Sequence, residues 1–435
     1  MRDGLRAVRE AASRGRLLRV EGRVTRAVGL VVEAALGDAR MGERVELRSS
    51  GTPPLAAEVV GLREDRVVLL PLGEQRGLGP ATTVVASGGP LTLRVGEGLV
   101  GRVLDGLGRP MDGKGEAAGL VEWAVDRPAP APLERVPIAR ALPLGVRALD
   151  ALATAGEGQR LGLFAGSGVG KSTLLGQIAR GSRADRVVVG LVGERGREVR
   201  EFIEGPLGAA GLARAVLVVA TSDAPALVRL KAAHVATAVA EWFAEQGHRV
   251  LLLLDSITRY ARAQREVGLA AGEPPARQGY PPSVFSALPR LLERTGGRAR
   301  GSITAVYTVL VAGGDLEEPI ADEVRGILDG HVVLERRIAA QGRYPAVDVL
   351  ASLSRVMPAV VSVGHLAGAE RLRGLLAAHD RVRDLVAIGA YRAGADPEAD
   401  LALARHPAIE AFLRQRHEEL APFEDTVARL AELAA

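Results

Sequence analysis

Residues 161–173 read LGLFAGSGVGKST and decide the fold, because an apolar run leads into a glycine-rich turn and then directly into a helical sequence. Glycines let consecutive backbone N–H groups turn inward around phosphate oxygens, and the start of the helix adds its positive dipole end. The ammonium of Lys171 is predicted to reach the β- and γ-phosphates of a nucleotide, and the hydroxyl of Ser172 to hold Mg²⁺. The predicted phosphate-binding loop (P-loop) consists of Ala165, Gly166, Ser167, Gly168, Val169, Gly170, Lys171, Ser172 and Thr173. Ala165 stands where the usual pattern has its first glycine.

Two carboxylates follow later apolar runs. Asp255 closes the run 250–254, which is the position from which a second strand presents a carboxylate to magnesium-bound water. Glu194 follows the run 187–192. At the carboxyl edge of a parallel sheet, beside the strand that leads to the P-loop, Glu194 is placed to polarise an attacking water. The alternative is that Glu194 only caps a charged loop.

The spacing of apolar runs along the chain predicts three folded regions. Short apolar runs at 161–164, 187–192, 216–219, 250–254 and 303–311 alternate with helical lengths, which indicates a parallel sheet covered on both faces. Short runs of period two, such as 18–24, 44–48 and 66–70, favour a small β-barrel before it. The glycine- and proline-rich stretches at 95–113 and 128–132 are typical of a linker. The predicted organisation is an amphipathic arm at 1–16, a β-barrel at 17–94, an α/β domain at 95–362 and a helical region at 363–435.

Composition excludes several kinds of protein. The 435 residues are 47% hydrophobic and include no cysteine, which excludes global disorder, disulfides, zinc–thiolate sites and thiol nucleophiles. The 56 basic residues include only three lysines, Lys114, Lys171 and Lys231. No apolar run is long enough to cross a bilayer, and the start of the chain has no apolar signal-peptide core. These features predict a cytoplasmic protein.

The residues around these motifs resemble a known family, the type III protein-export ATPases of flagella and injectisomes, which are related to the catalytic β subunit of F-type ATP synthases. The similarity is carried by residues 255–266, 272–275, 279–285, 288–294, 301–304, 315–322, 326–331, 344–348, 354–358, 389–397 and 411–415. The resemblance implies an N-terminal β-barrel, a central RecA-like P-loop ATPase domain and a helical C-terminal domain. It implies hydrolysis of ATP to ADP and phosphate with Mg²⁺.

The resemblance also implies roles for individual residues. Asp255 supports the magnesium ion, and Glu194 activates water. Arg195 and Arg259 line the site near the phosphates. Tyr344 packs on the adenine ring, for which the alternative is a tyrosine of the core.

Arg355 matches the arginine finger of the family, a guanidinium that one subunit inserts into the nucleotide site of its neighbour. Arginine suits this task because its planar fork contacts phosphate oxygens in pairs and stays protonated. A chain that carries Lys171, Glu194 and Arg355 together can both donate and receive a finger. This favours a homohexameric ring with head-to-tail contacts.

Partners are implied in the same way. The family would pair this ring with stalk and export-gate proteins, with export substrates and their chaperones, and with a stator-like regulatory protein on the arm. Residues 1–26 hold eight arginines and three acids, a net charge of +5, which favours an acidic partner for the arm or a peripheral contact with anionic lipid. The expected location is the cytoplasmic face of the membrane export apparatus.

Four functions remain open at this stage. A flagellar export ATPase is the first expectation, because residues 313–322 look more flagellar than like injectisome members. An injectisome ATPase is the second. A catalytic subunit of a rotary ATP synthase is disfavoured by the finger and by residues 272–294. A ring-shaped RNA translocase is disfavoured because base stacking needs aromatic residues, and none precedes Trp123. No specific nucleic acid is therefore expected.

Overall fold

The computed structural model describes residues 20–435, so the arm predicted at 1–16 lies outside the described residues. The first described region is a closed barrel with the strand order β1-β2-β5-β4-β3-β6. Its strands are β1 Glu21–Val28, β2 Val31–Ala35, β3 Arg44–Arg48, β4 Leu55–Arg63, β5 Arg66–Pro71 and β6 Thr83–Ala86. Alternating side chains of these strands fill the interior, among them the fully buried Val32, Val45 and Leu69. Period-two alternation therefore produces the predicted barrel.

The centre of the molecule is a nine-stranded sheet with the order β17-β16-β10-β15-β13-β11-β12-β8, to which β14 adds by pairing with β15. The remaining strands are β7 Thr92–Val95, β8 Val103–Asp105, β9 Val121–Ala124, β10 Arg160–Ala165, β11 Arg186–Glu194, β12 Ala215–Thr221, β13 Arg249–Asp255, β14 Gly296–Gly297, β15 Ser302–Leu310, β16 Gly330–Leu334 and β17 Val347–Ser354. Neighbouring strands pair in parallel except at β14 and β17. The carboxyl ends of the parallel strands therefore share one edge.

The segment predicted as a linker is part of the folded core. Strand β8 lies inside it and forms one edge of the central sheet, and β7 pairs with β9 in a separate two-stranded sheet. The guanidinium of Arg102 is almost fully buried and binds the carboxylate of Asp112 at 2.7 Å. A strand of three residues is too short to show periodicity. The surrounding glycines and prolines were therefore the stronger signal in the sequence, and they indicated a linker.

Helices cover both faces of the sheet and form the C-terminal region. They are α1 Arg147–Leu152, α2 Lys171–Gly181, α3 Gly196–Phe202, α4 Gly208–Leu212, α5 Ala226–Glu245, α6 Ile257–Ala271, α7 Pro282–Leu292, α8 Pro319–Ile327, α9 Arg336–Ala340, α10 Met357–Val360, α11 Val363–Ala387, α12 Pro397–Leu413 and α13 Phe423–Ala434. Leu372, Phe412 and Leu430 of the last three helices share one apolar core with α1 and α2. The predicted fold class of barrel, α/β domain and helical C-terminal region is confirmed. Within residues 20–435, the helices are all too short or too polar to cross a membrane.

A buried lysine joins the barrel to the central domain. Lys231 of α5 is 4% exposed. Its ammonium lies 2.7 Å from a carboxylate oxygen of Glu58, in barrel strand β4, and 2.7 Å from one of Asp126, which follows β9. Asp126 also contacts His234 at 2.9 Å. Since the ammonium is paired on two sides, its burial is compensated by two carboxylates.

Replacing this lysine should destabilise the junction. Lys231→Met keeps the chain length of the side chain and leaves two carboxylates without their cation, a loss of roughly 3–5 kcal/mol for a broken buried ion pair. We expect a clearly lower midpoint of thermal and urea unfolding. Lys114→Met, at an exposed lysine, is the control and should leave the midpoint unchanged. Equal midpoints for the two variants would show that the ion pair does not stabilise the fold.

Candidate active site

The P-loop joins the carboxyl end of β10 to the start of α2. Gly168 and Gly170 have φ of 78° and 89°, a left-handed conformation in which glycine is favoured. Ala165 is the last residue of β10, where it is buried and pairs with Leu310 and Leu334 of the neighbouring strands. Among residues 20–435, Ala165 is not one of the non-glycine residues with positive φ. Alanine therefore fits at the position where the usual pattern has glycine.

Three segments converge at this edge of the sheet. The ammonium of Lys171 contacts Asp255 Oδ2 and lies 3.7 Å from Glu194 Oε1. Asp255 is 2% exposed, and its other oxygen accepts a hydrogen bond of 2.7 Å from the hydroxyl of Thr308 on β15. The structure thus brings the P-loop lysine together with both carboxylates that the sequence singled out.

The route by which Glu194 reaches the site differs from the prediction. Its strand was expected beside the P-loop strand, but β15 and β13 lie between β10 and β11. Residue Leu191 of β11 is level with Asp255 of β13, so β11 continues three residues further toward the site. Gly193, with φ of 72°, lies at a break in the register of β11 with β12 and turns the chain there. A longer strand therefore compensates for its greater distance.

The side chain of Glu194 is almost fully shielded from water. It is 7% exposed, and its Oε2 lies 2.7 Å from a guanidinium nitrogen of Arg259. The same guanidinium donates to the carbonyl of Gly193. Burial, followed by the negative charge of Asp255, raises the pKa of Glu194, whereas the charges of Lys171 and Arg259 oppose that rise. A carboxylate with a raised pKa is a better proton acceptor, as a base for water activation requires.

The oxygen ligands at this edge fit a magnesium ion. Ser172 is exposed in the first turn of α2. The buried carboxylate of Asp255 contacts Lys171, which belongs to the same turn. Hydroxyl and carboxylate oxygens are ligands that Mg²⁺ prefers, with its remaining ligands drawn from phosphates and water. Across residues 20–435 there is no group of three His, Cys, Asp or Glu side chains placed to hold a metal by themselves. A magnesium ion held by Ser172 and Asp255 would take its remaining ligands from phosphate and water.

A cleft of about 640 Å³ opens over the P-loop. Its lining includes Ala165, Gly166, Ser167, Gly168, Gly170, Lys171, Ser172, Thr173, Glu194, Arg195, Glu198, Arg259, Arg262, Leu310, Val311 and Glu318. Arg195 lies at the mouth of the cleft, where its side chain is 74% exposed and its Nη1 is 3.4 Å from Oε1 of Glu198. Sequence reasoning missed Glu198, Arg262 and Glu318. The spacing of Arg262, three residues after Arg259 on α6, was the available signal.

Tyr344 borders a second cavity of about 900 Å³ on the other side of the P-loop. It is 46% exposed, which does not fit a core tyrosine. Its ring lies against Gly170, where an added Cβ would be 3.5 Å away. The cavity is also lined by residues 414–419, after α12, which sequence reasoning did not assign to the site. No local motif marks them, because they reach the P-loop through the packing of the C-terminal helices.

Arg355 is the predicted site residue that the chain does not bring to its own P-loop. It is exposed just after β17, and its backbone N–H donates to the carbonyl of Asp329. Asp329 in turn pairs with Arg160, at the amino end of β10, whereas the P-loop follows the carboxyl end. At about 3.3 Å per residue, the two ends of β10 are about 17 Å apart. Arg355 therefore lies at the opposite edge of the sheet.

Three parts of the chain match known protein families. Residues 24–88 match the beta-barrel domain of the ATP synthase alpha/beta family, and residues 145–354 match the nucleotide-binding domain of the same family. Residues 361–432 match the T3SS EscN ATPase C-terminal domain. The matches thus fall in the barrel, the central sheet and the C-terminal helices.

Individual proteins are similar over almost the whole chain. The "Flagellum-specific ATP synthase" of Bacillus subtilis (strain 168) is 50% identical over 95% of this chain and 94% of its own length. The "Type 3 secretion system ATPase" of Xanthomonas euvesicatoria is 54% identical over 95% of this chain and 93% of its own length. The solved structure of the assembled ATPase EscN in complex with its central stalk EscO, from enteropathogenic E. coli, superposes with a TM-score of 0.89 at 47% identity, covering 95% of this chain and 100% of that one.

The contacts of Lys171 predict that charge alone is not sufficient at this position. Lys171→Arg keeps the positive charge but places a larger planar group between Asp255 and Glu194, so that it no longer follows the phosphates into the P-loop. We expect ATP hydrolysis, measured as phosphate release, to fall about 100-fold, the scale for removal of one preorganised donor. Lys114→Arg is the matched control and should retain full activity. Hydrolysis near the wild-type rate in Lys171→Arg would contradict this account.

Proposed function

Because the chain belongs to the ATP synthase alpha/beta family and, within it, to the type III secretion ATPases, we propose that it works as a homo-oligomeric ring motor that energises protein export. Its enzymatic activity is that of an ATPase, which converts ATP and water to ADP and phosphate. The observation that carries the proposal is the meeting of Lys171, Asp255 and Glu194 at the P-loop. The family match at 361–432 favours export over the catalytic subunit of an ATP synthase.

The chemistry assigned to the site follows from its contacts. The backbone N–H groups of 166–170 and the ammonium of Lys171 bind the phosphates of ATP, while Ser172 and Asp255 would hold Mg²⁺, which supplies charge neutralisation. Glu194 orients and polarises the attacking water, and Arg259 holds Glu194 in place through their 2.7 Å contact. If the ammonium of Lys171 bound phosphate instead of Asp255, the carboxylate of Asp255 would be free to hold the metal. Tyr344 packs on the adenine ring in the adjoining cavity.

Arg355 acts in the site of a neighbouring subunit. Its position at the amino edge of the sheet is incompatible with a role at its own P-loop but suits a head-to-tail contact in which one subunit's amino edge faces the next subunit's cleft. Arginine fingers supplied by a neighbour typically contribute about 10³–10⁵ in rate. The similar EscN structure is that of an assembled ATPase, which supports an assembly of this kind, and we propose a hexamer.

The proposed partners follow from the same relatives. A central stalk is supported by the EscN–EscO complex. Export-gate proteins, export substrates and their chaperones complete the proposed machinery, and a stator-like regulator would bind the arm at 1–16. The domain boundaries 17–94, 95–362 and 363–435 are part of this proposal, as is a location at the cytoplasmic face of the membrane. No specific nucleic acid is proposed, since the barrel lacks aromatic residues.

Within type III export, we assign the chain to the flagellar system on the basis of residues 313–322. The injectisome is the second candidate, because relatives of both kinds are about equally similar, at 50% and 54% identity. The neighbouring genes distinguish the two systems. Genes for rod, hook and filament proteins support the flagellar assignment, whereas genes for needle and translocator proteins would overturn it.

Removing the carboxylate of Glu194 should separate nucleotide binding from hydrolysis. Glu194→Gln keeps the size of the side chain but cannot accept a proton, so we expect ATP hydrolysis to fall about 10²–10⁴-fold, the usual contribution of a general base. Binding of a fluorescent ATP analogue should persist. The control is Glu201→Gln, at an exposed carboxylate that pairs with Arg197. Substantial turnover by Glu194→Gln would remove Glu194 from the proposed role.

Mixing two inactive variants tests whether Arg355 acts between subunits. Arg355→Ala subunits keep Lys171 and can receive a finger, whereas Lys171→Ala subunits keep Arg355 and can donate one. At a 1:1 ratio, random mixing into rings yields about one complete site in four interfaces, so partial ATPase activity should return.

The control for this mixture is a subunit that carries both substitutions, which restores nothing when mixed with Arg355→Ala. If no ratio of the two single variants restores hydrolysis while mixed rings form, Arg355 does not act in the neighbour's site.

A further inference from the structure

The cations that line the nucleotide cleft differ in whether they already have a carboxylate partner. Lys171 contacts Asp255, Arg259 binds Glu194 at 2.7 Å, and Arg195 lies 3.4 Å from Glu198. Arg262 also lines the cleft, yet it forms no ion pair or hydrogen bond with any of residues 20–435. Arg262 is therefore the cation of the cleft lining that has no carboxylate partner among residues 20–435.

The position of Arg262 on α6 explains why it remains unpaired. Residues three apart on a helix lie on one face, so Arg262 is one turn along from Arg259. The Arg259 side chain is 25% exposed, whereas Arg262 is exposed and lies further out toward solvent. Glu266, one turn beyond Arg262, is the nearest candidate partner along the helix, but it binds Arg229 at 2.6 Å.

This difference decides which cation meets an anion first. A phosphate that approaches Arg259 or Lys171 competes with a carboxylate already in contact, and that carboxylate is left buried without its partner. A phosphate that approaches Arg262 displaces only water. The guanidinium fork is also suited to two parallel hydrogen bonds with phosphate oxygens.

We propose that Arg262 is an outer phosphate-binding residue of the nucleotide cleft, which engages the phosphate chain of incoming ATP and the inorganic phosphate that leaves. The inference rests on the proposed ATPase site and adds a residue to it. Arg262 guides ligands into the inner site, where Lys171 and Glu194 act. Its contribution therefore belongs to the binding and release of phosphate.

Steady-state kinetics of Arg262→Gln test this assignment. We expect KM for ATP to rise about 3–10-fold, the lower end of electrostatic steering effects, with kcat changed less than about twofold. Inhibition by added inorganic phosphate should weaken by a similar factor. The increase of KM with ionic strength should become shallower, because an exposed charge that is screened by salt has been removed.

Two further variants make the comparison specific. Arg262→Lys keeps a charge without the planar fork and should recover part of the KM effect. Arg265→Gln is the matched control, one turn further along α6, where Arg265 lies over the ring of Tyr280 at 5.1 Å and does not line the cleft. It should leave KM, phosphate inhibition and the salt dependence unchanged.

Unchanged KM and unchanged phosphate inhibition in Arg262→Gln would overturn the proposal. So would a fall in kcat with KM retained and with loss of oligomer in sedimentation, since Arg262 would then serve a contact between subunits. If the wild-type protein binds ATP but does not hydrolyse it, the proposed function fails separately. Direct titration of the wild-type protein and Arg262→Gln with a fluorescent ATP analogue then still measures the binding role of Arg262.

Discussion

Two buried carboxylates at one edge of the sheet are the constraint on which the site depends. Asp255 and Glu194 are 2% and 7% exposed, and an ionised carboxylate that is removed from water requires a nearby cation. Lys171 and Arg259 supply these cations, so both carboxylates are neutralised by side chains of the same chain. A phosphate that enters the site must therefore compete with groups already in contact. The charges are in place before the phosphates arrive, and this preorganisation is what electrostatic catalysis needs.

The parallel sheet determines which groups can meet. Because its strands point the same way, Lys171, Asp255 and Glu194 all come to the carboxyl edge. Arg355 follows β17, which is antiparallel to β16, and so the same sheet directs it to the amino edge. In the proposed ring, this one reversed strand gives each subunit a receiving edge and a donating edge. Such a pair of unlike surfaces builds rings through heterologous contacts, whereas a two-fold interface would bring like edges together.

Features that depend on neighbouring residues in the chain were predictable, and features that depend on distant pairing were not. The P-loop, the barrel strands and the carboxylates at strand ends leave local patterns, and the structure contains them in those places. The two strands between β10 and β11, the pairing of β8 with the central sheet and the approach of 414–419 to the cavity leave none. These features arise when remote segments bury apolar surface together, as in the core shared by α2 and the C-terminal helices.

Two of the three lysines have the same kind of surroundings. Lys171 lies between Asp255 and Glu194, and Lys231 lies between Glu58 and Asp126. Each of these ammonium groups serves two carboxylates from different elements, which a compact charge with freely rotating donors can do. The buried Arg294 shows the other arrangement, in which Nε and Nη2 of one planar fork both donate to Glu241, at 2.9 and 2.8 Å. A guanidinium can also bridge two carboxylates, as that of Arg160 does between Glu293 and Asp329, so the number of partners alone does not select lysine. What the ammonium adds is a small donor group that rotates freely and fits where a planar group does not.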